Sequence, residues 1–244
     1  MNISLSPARL FLPLLFITLL ALVHAPGQQL HPRLKGAKSG DAKQVISRVV
    51  ILPAQVWLIK DAVKGPEILD KEAAAATPII EKAMAKALAA RNLTVLESPF
   101  TQEALQNNQK LKFAVATLRY SYYELNDKII KNRKDVEKAG FTLGDQVQLL
   151  NQDDKIDAFV FVTAVGRLRS GGMKALGILT LTPQIISSLY QINIGIVDAR
   201  NGDVLAYTGV SGFGEIGKVD DRKLVDSLTR GLERLPTGKT TEKK

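Results

Sequence analysis

Apolar and polar positions alternate along the chain in segments that predict either strands or helices. A strand buried on one face alternates in polarity, whereas a strand covered on both faces is apolar at nearly every position. Ile156–Leu168 is of the second kind, so we expect it to be the central strand of a sheet. The pattern predicts five strands in all, at Val45–Leu52, Leu93–Leu96, Ile156–Leu168, Tyr190–Val197 and Asp203–Val210. The last two flank the turn sequence Asp198–Gly202 and are expected to form a hairpin.

Three other segments are predicted to be helical, and the first and the last of them have the three- and four-residue spacing that is typical of amphipathic helices. The first runs from about Glu67 to Asn92 and contains Pro78, at which it either kinks or starts anew. The second, Thr101–Asp154, is predicted to be mainly helical, with breaks near Asn107, Asn126 and residues 140–144. The third is expected to begin at Asp220 or Asp221 and to end near Leu235.

The order of these elements predicts the fold class. Strands that alternate with helices, followed by a hairpin and a last helix, are typical of an α/β domain. We therefore expect a single domain over residues 45–235. Its sheet should be mixed and mostly antiparallel, with about five strands and with helices packed on it.

The first 25 residues have the layout of a secretory signal peptide. A polar start with Arg9 precedes the apolar run Leu10–Val23, and small residues stand at Val23 and Ala25. Cleavage near Ala25 would deliver the protein to the periplasm or the cell exterior, and an uncleaved anchor is the alternative. We expect residues 26–44 to be a flexible leader and residues 236–244 a loose polar tail.

Composition restricts the chemistry that the chain can perform. It has 244 residues and no cysteine, which excludes disulfides, thiolate metal sites and cysteine nucleophiles. Of its two histidines, His24 lies in the predicted signal peptide and His31 in the predicted leader. The net charge is +9, but the basic residues are spread along the chain. We therefore expect an anionic membrane surface rather than nucleic acid to be attracted by this charge.

One basic cluster is a candidate site for an anion or a partner protein. Arg167, Arg169 and Lys174 flank the small-residue turn Ser170–Gly172 at the end of the predicted central strand. Arginine and a glycine-rich turn suit phosphate or carboxylate groups. A solvated basic loop is the alternative interpretation.

The segment that follows carries no formal charge from Ala175 to Val197. One interpretation is a loop followed by a buried strand. The other is an exposed apolar contact loop, Ala175–Leu181, in which Leu176, Ile178 and Leu179 touch a membrane or another subunit. The sequence predicts no catalytic residue, no metal site and no cofactor.

Three segments carry a resemblance to known domains. The hairpin Ile194–Leu205, the helix Arg222–Leu235 and the helix-to-strand segment Ala89–Leu96 resemble α/β domains of the bacterial envelope. These are the amino-terminal domain of the Tol–Pal protein TolB, the lipoprotein activators of penicillin-binding proteins and the curli secretion lipoprotein. The resemblance implies a mixed sheet with packed helices and non-enzymatic work through protein contacts.

The sequence therefore predicts an exported, envelope-associated module that binds proteins and has no enzymatic activity. It would recruit or regulate another envelope protein. Two alternatives remain open. One is a subunit of a membrane-associated oligomer, and the other is a hydrolase that uses carboxylates or a serine, although no G-x-S-x-G motif occurs.

Overall fold

A computed structural model of the protein describes residues 28–35, 46–151, 155–179 and 188–236. The predicted signal peptide, residues 1–25, lies outside this part of the chain. So do residues 237–244 of the predicted tail. The strands are β1 (Gln29–Leu30), β2 (Arg48–Ile51), β3 (Gln55–Ala62), β4 (Gly65–Ile68), β5 (Thr94–Val95), β6 (Ala158–Arg169), β7 (Leu189–Asp198) and β8 (Val204–Phe213).

The helices of the described residues have a wide range of lengths. They are α1 (Pro32–Lys35), α2 (Asp70–Ala90), α3 (Gln102–Asn107), α4 (Gln109–Lys131), α5 (Gly171–Leu179) and α6 (Asp221–Gly231). Short 3₁₀ helices are formed by Arg133–Lys138, Gly144–Leu150 and Ile216–Lys218. No helix within the described ranges is both long enough and apolar enough to cross a membrane.

All eight strands belong to one mixed sheet, in which β6 is central. On one side of β6 lies β7, which pairs antiparallel with β6 and with β8. On the other side β2 and β3 pair in parallel with successive halves of β6. The predicted α/β class and the mixed, mostly antiparallel sheet are confirmed. The expected number of about five strands was wrong, because β1, β3 and β4 were not foreseen.

Helices cover the sheet on both faces and create two cores. On the first face α2 and α6 pack over Ala158, Val160 and Val162. On the second face α4 and the 3₁₀ helices Arg133–Lys138 and Gly144–Leu150 pack over Phe159 and Phe161. The central strand is thus buried between two layers of helices, as its apolar sequence predicts.

Helix α4 is fixed on the second face by two tyrosines. The ring of Tyr122 stacks on Phe161 with the ring centroids 4.2 Å apart, and its hydroxyl lies so close to Gly195 that a Cβ there would overlap it. Asn126 is buried within α4 and accepts a hydrogen bond of 3.0 Å from the hydroxyl of Tyr207 in β8. The predicted break near Asn126 was therefore wrong, because this amide has a partner inside the core.

The amino-terminal residues 28–35 pack against the far edge of the sheet. β1 pairs antiparallel with β8, and Leu30 and Leu34 are buried in the first core. Arg33 forms ion pairs with Asp203 and with Asp198, the latter at 3.2 Å, and the Asp198 side chain is only 1% exposed. These residues were predicted to belong to a flexible leader. That interpretation was wrong for them, because strand pairing, burial and ion pairs hold them to the domain.

The two ends of the described chain meet at this edge. The Arg234 backbone N–H donates to Gln28 Oε1 at 2.8 Å, and its guanidinium donates to the Gln28 carbonyl oxygen at 2.8 Å. The segment after α6 is therefore tied to the segment before β1. Leu232 and Leu235 next to this contact are buried in the first core.

Replacing Leu34 by alanine should lower the free energy of unfolding by about 2–5 kcal/mol, because it removes a buried side chain and leaves a cavity. Chemical denaturation measures this change. Leu149→Ala is the matched control, because Leu149 is 61% exposed and its loss should change stability by less than about 0.5 kcal/mol. Equal, small effects at both positions would contradict the packing of residues 28–35.

Removing the hydroxyl of Tyr207 and removing that of Tyr122 should affect the stability of the protein differently. Tyr207→Phe leaves the buried Asn126 oxygen without its donor and should destabilise the protein by about 1–3 kcal/mol. Among the described residues the Tyr122 hydroxyl has no hydrogen-bond partner, so Tyr122→Phe should be neutral or stabilising. Thermal and urea unfolding of both variants test this. A Tyr122→Phe variant that loses as much stability as Tyr207→Phe would contradict the arrangement.

Candidate functional site

The side of α4 that faces away from the sheet carries a stripe of exposed apolar residues. Phe113 is 74% exposed and Tyr120 is 62% exposed, although both lie on a helix whose opposite side is fully buried. Their spacing continues in alternating steps of three and four residues. We call the set the outer stripe of α4; its apolar members are Phe113, Ala116, Tyr120, Tyr123 and Ile130, and the charged Asp127 lies between the last two. This spacing is the one by which a helix presents a seam to another helix.

A groove opens beside the amino-terminal end of the outer stripe. Its volume is about 970 Å³, and its walls are largely apolar. Phe113 and Leu149 form exposed parts of its lining, while Phe100 and Leu150 form its buried parts. The groove can therefore accept an apolar side chain of a bound molecule that extends beyond the outer stripe.

Basic residues predominate around the outer stripe. Helix α4 exposes four lysines against Glu124 and Asp127, whereas its one arginine, Arg119, is half-buried. Asp127 already forms an ion pair of 2.7 Å with Lys131. A hydrogen bond to Glu124 raises the pKa of Tyr120, so the phenol stays neutral at physiological pH. The surface that surrounds the apolar stripe is thus positively charged.

The exposed apolar surface continues from α4 onto the sheet. Tyr123 lies against Trp57 of β3, with the ring centroids 5.4 Å apart. Trp57 pairs across the two strands with Val165 of β6, and Val165 is itself partly exposed. Phe213, at the end of β8, is 63% exposed. It pairs with Leu189 of β7, which in turn pairs with Arg167 of β6. Beyond α4 this face of the sheet therefore presents aromatic and aliphatic side chains to solvent.

The three residues of the predicted basic site lie at the same end of the sheet as Phe213, but they differ in burial and in their partners. Arg169 pairs with Asp61, its register neighbour in β3, and both side chains are largely buried. Arg167 and Lys174 are exposed. Ser170 caps α5, since its hydroxyl accepts the Met173 N–H at 3.3 Å. The Arg169 charge is therefore balanced within the fold, and an anion site at Arg167 and Lys174 stays a prediction.

The predicted apolar contact loop is helical where the structure describes it. Residues expected to begin a loop at Ala175 belong to α5, which runs from Gly171 to Leu179. The loop interpretation was therefore wrong for this part, since Ser170 caps a helix here. The side chains of Leu176, Ile178 and Leu179 lie outside the described part, so their role as contact residues stays a prediction.

Few groups with catalytic or metal-binding chemistry come together. Within the described residues, no group of three or more histidine, aspartate or glutamate side chains is placed to hold a metal ion. His31 is buried beside α1, and its Nδ1 accepts the Arg33 N–H at 3.1 Å. Burial, followed by the nearby Arg33 charge, lowers the pKa of His31 and keeps the ring neutral.

The outer stripe was not predicted from the sequence, although the chain carries a signal for it. Phe113, Tyr120 and Tyr123 follow one stripe of α4, while Val115, Leu118 and Tyr122 follow a second, buried one. A helix that is apolar on two sides either lies within a core or contacts a partner. The two stripes could be separated only once the helix and its buried side were known.

Comparison with known proteins gives structural likenesses only. No protein-family model matches the chain, and no curated protein matches it significantly. A variant of PelC from Paraburkholderia phytofirmans, solved as a dodecamer, is similar over 86% of this chain and 97% of its own, with 11% identity and a TM-score of 0.40. PelC in a second crystal form has 9% identity, covers 86% of this chain and 95% of its own, and has a TM-score of 0.36.

The lipoprotein GNA1162 from Neisseria meningitidis is similar over 73% of this chain and 90% of its own, with 13% identity and a TM-score of 0.33. At these TM-scores the likenesses indicate neither a function nor a partner for this chain. The resemblance to TolB, the penicillin-binding-protein activators and the curli lipoprotein stays a prediction.

Proposed function

We propose that the protein is a non-enzymatic binding module of the bacterial envelope that recruits or regulates another envelope protein. The observation that carries this proposal is the outer stripe of α4, which presents aromatic side chains to solvent on a helix that is already packed. Large exposed apolar patches on folded proteins mark interaction surfaces. The signal-like first 25 residues support an envelope location.

The surface suits a helix as its partner element. Helix α4 has 23 residues and is therefore about 35 Å long, enough for five turns of a partner helix. Steps of three and four residues let the side chains of two helices interdigitate. The groove beside Phe113 would receive one apolar side chain at the end of this contact. Tyrosine and tryptophan, which supply much of the binding energy in protein interfaces, occur together at Tyr123 and Trp57.

Charge favours an acidic partner over a second copy of the same helix. With four exposed lysines and two exposed acidic residues, the solvent-facing part of α4 has a net charge of +2. Two copies of α4 packed side by side would bring like charges together, which disfavours association. A partner helix with an apolar seam and acidic flanks would be attracted instead, and its association would be fastest at low salt.

A photoreactive phenylalanine analogue at position 120 should crosslink in cells to one exported protein. The crosslinked peptide should be helical, with an apolar seam and acidic flanks. The same analogue at Ile68, which is equally exposed but lies in the hairpin of β3 and β4, is the control and should give no such adduct. Adding Phe113→Ser should reduce the adduct at position 120 at least about tenfold, as expected for an interface anchor.

Three results would overturn the proposal. Adducts between two copies of this chain would support an oligomer subunit, and adducts with phospholipid would support a membrane-surface role. Equal labelling from positions 120 and 68 would show that the stripe has no specific partner. Unchanged thermal unfolding of Phe113→Ser would confirm that loss of the adduct is not loss of the fold, since exposed side chains contribute little to stability.

A further inference from the structure

A second cavity lies where the chain leaves the sheet toward opposite faces. β2 is flanked by β5 and β6, and all three strands are parallel. After β2 the chain continues through β3 and β4 to α2 on the first face, whereas after β5 it continues to α4 on the second face. Such a change of side opens a crevice at the carboxyl ends of the strands, and α/β proteins commonly bind small molecules there.

The crevice has a volume of about 800 Å³. Its floor is formed by Ile51 and Val95, the last residues of β2 and β5. Most of its wall is apolar and includes Leu96, Phe100 and Val115. The size falls within the range of about 300–1,000 Å³ that is typical of small-molecule sites.

Arg119 places a guanidinium in the wall of this crevice. Its Nη2 makes one long hydrogen bond, of 3.4 Å, to the Ala54 carbonyl oxygen. Its Nε is buried and has no hydrogen-bond partner among the described residues. Desolvation lowers the pKa of Arg119, and the charge of Glu81 opposes that shift. The guanidinium, with one long hydrogen bond, therefore has N–H donors left for an acceptor that enters the crevice.

The other charged groups of the lining leave an excess of positive charge. Glu81 lies across the crevice on α2, and its Oε1 accepts the Ala54 N–H at 2.8 Å. Within the described residues Glu81 forms no ion pair with Arg119 and acts on it only through its nearby charge. Lys112 stands at the exposed part of the lining. One arginine and one lysine against one glutamate give a net charge of +1.

We infer that this crevice binds a small organic carboxylate, whose charged end meets the Arg119 guanidinium and whose apolar body lies against Leu96, Phe100 and Val115. A guanidinium can donate two parallel hydrogen bonds to a carboxylate. The apolar wall contributes by removing the rest of the ligand from water. The crevice shares Ala116 with the outer stripe of α4 and Phe100 with the groove beside it, but binding at Arg119 does not depend on the proposed protein partner.

The test compares 4-phenylbutyrate with 4-phenylbutyramide, which has the same body without the charge. Calorimetric titration of the purified protein should show the acid binding at least about tenfold more tightly than the amide, the difference expected for a charge-assisted hydrogen bond. In amide NMR spectra the signals of Ala54 and Ser98, which border the crevice, should shift on addition of the acid.

Two substitutions should change the affinity in opposite directions. Arg119→Gln should weaken binding of the acid at least about tenfold and leave binding of the amide unchanged. Glu81→Gln should strengthen binding of the acid, because it removes the opposing charge while its amide oxygen can still accept the Ala54 N–H. Arg222→Gln, at an exposed position on α6, is the matched control and should bind as the unchanged protein does.

The inference is overturned if the acid and the amide bind equally well, if the acid does not bind at its solubility limit, or if Glu81→Gln weakens binding. It is also overturned if a folded Arg119→Gln variant binds the acid as tightly as the unchanged protein. Should Arg119→Gln fail to fold, the acid–amide comparison and the Glu81→Gln variant still decide the question.

Discussion

Burial of β6 on both faces is the constraint from which the rest of the architecture follows. Its first seven residues, Ala158–Ala164, are all buried, and they alternate between the two cores. A strand of this kind needs a layer of helices on each side. The connections around it must therefore leave the sheet toward opposite faces. This requirement places α2 and α4 on different sides and opens the crevice between the ends of β2 and β5.

The elements that sequence could predict are those specified by neighbouring residues. β6 follows from one long apolar run in the sequence. The hairpin of β7 and β8 follows from two largely apolar segments that flank a turn, in which Gly202 has a φ of 78°. The last helix was expected to begin at Asp220 or Asp221; it begins at Asp221, and the carboxylate of Asp220 caps it by accepting two backbone N–H groups. In each case the determining chemistry lies within a few residues of the element, so a local pattern is sufficient.

The elements that were missed depend on contacts between distant parts of the chain. β1 has only two residues and is held by pairing with β8. Asn126 suggested a break in α4 because asparagine competes with helical hydrogen bonds, yet its partner Tyr207 lies 81 residues away. Arg169 looked available for an anion, but the unforeseen pairing of β3 with β6 sets Asp61 beside it. The importance of Arg119 likewise emerges only from the strand order.

The contact of Arg234 with Gln28 has a consequence for how the molecule can be held. Both ends of the folded body emerge at one corner, beside the edge of β8, whichever terminus is considered. A tether placed directly before Gln28 and a fusion placed directly after Pro236 would thus start close to a common point. A capture tag or an imaging label at either residue would leave the folded body from the same corner.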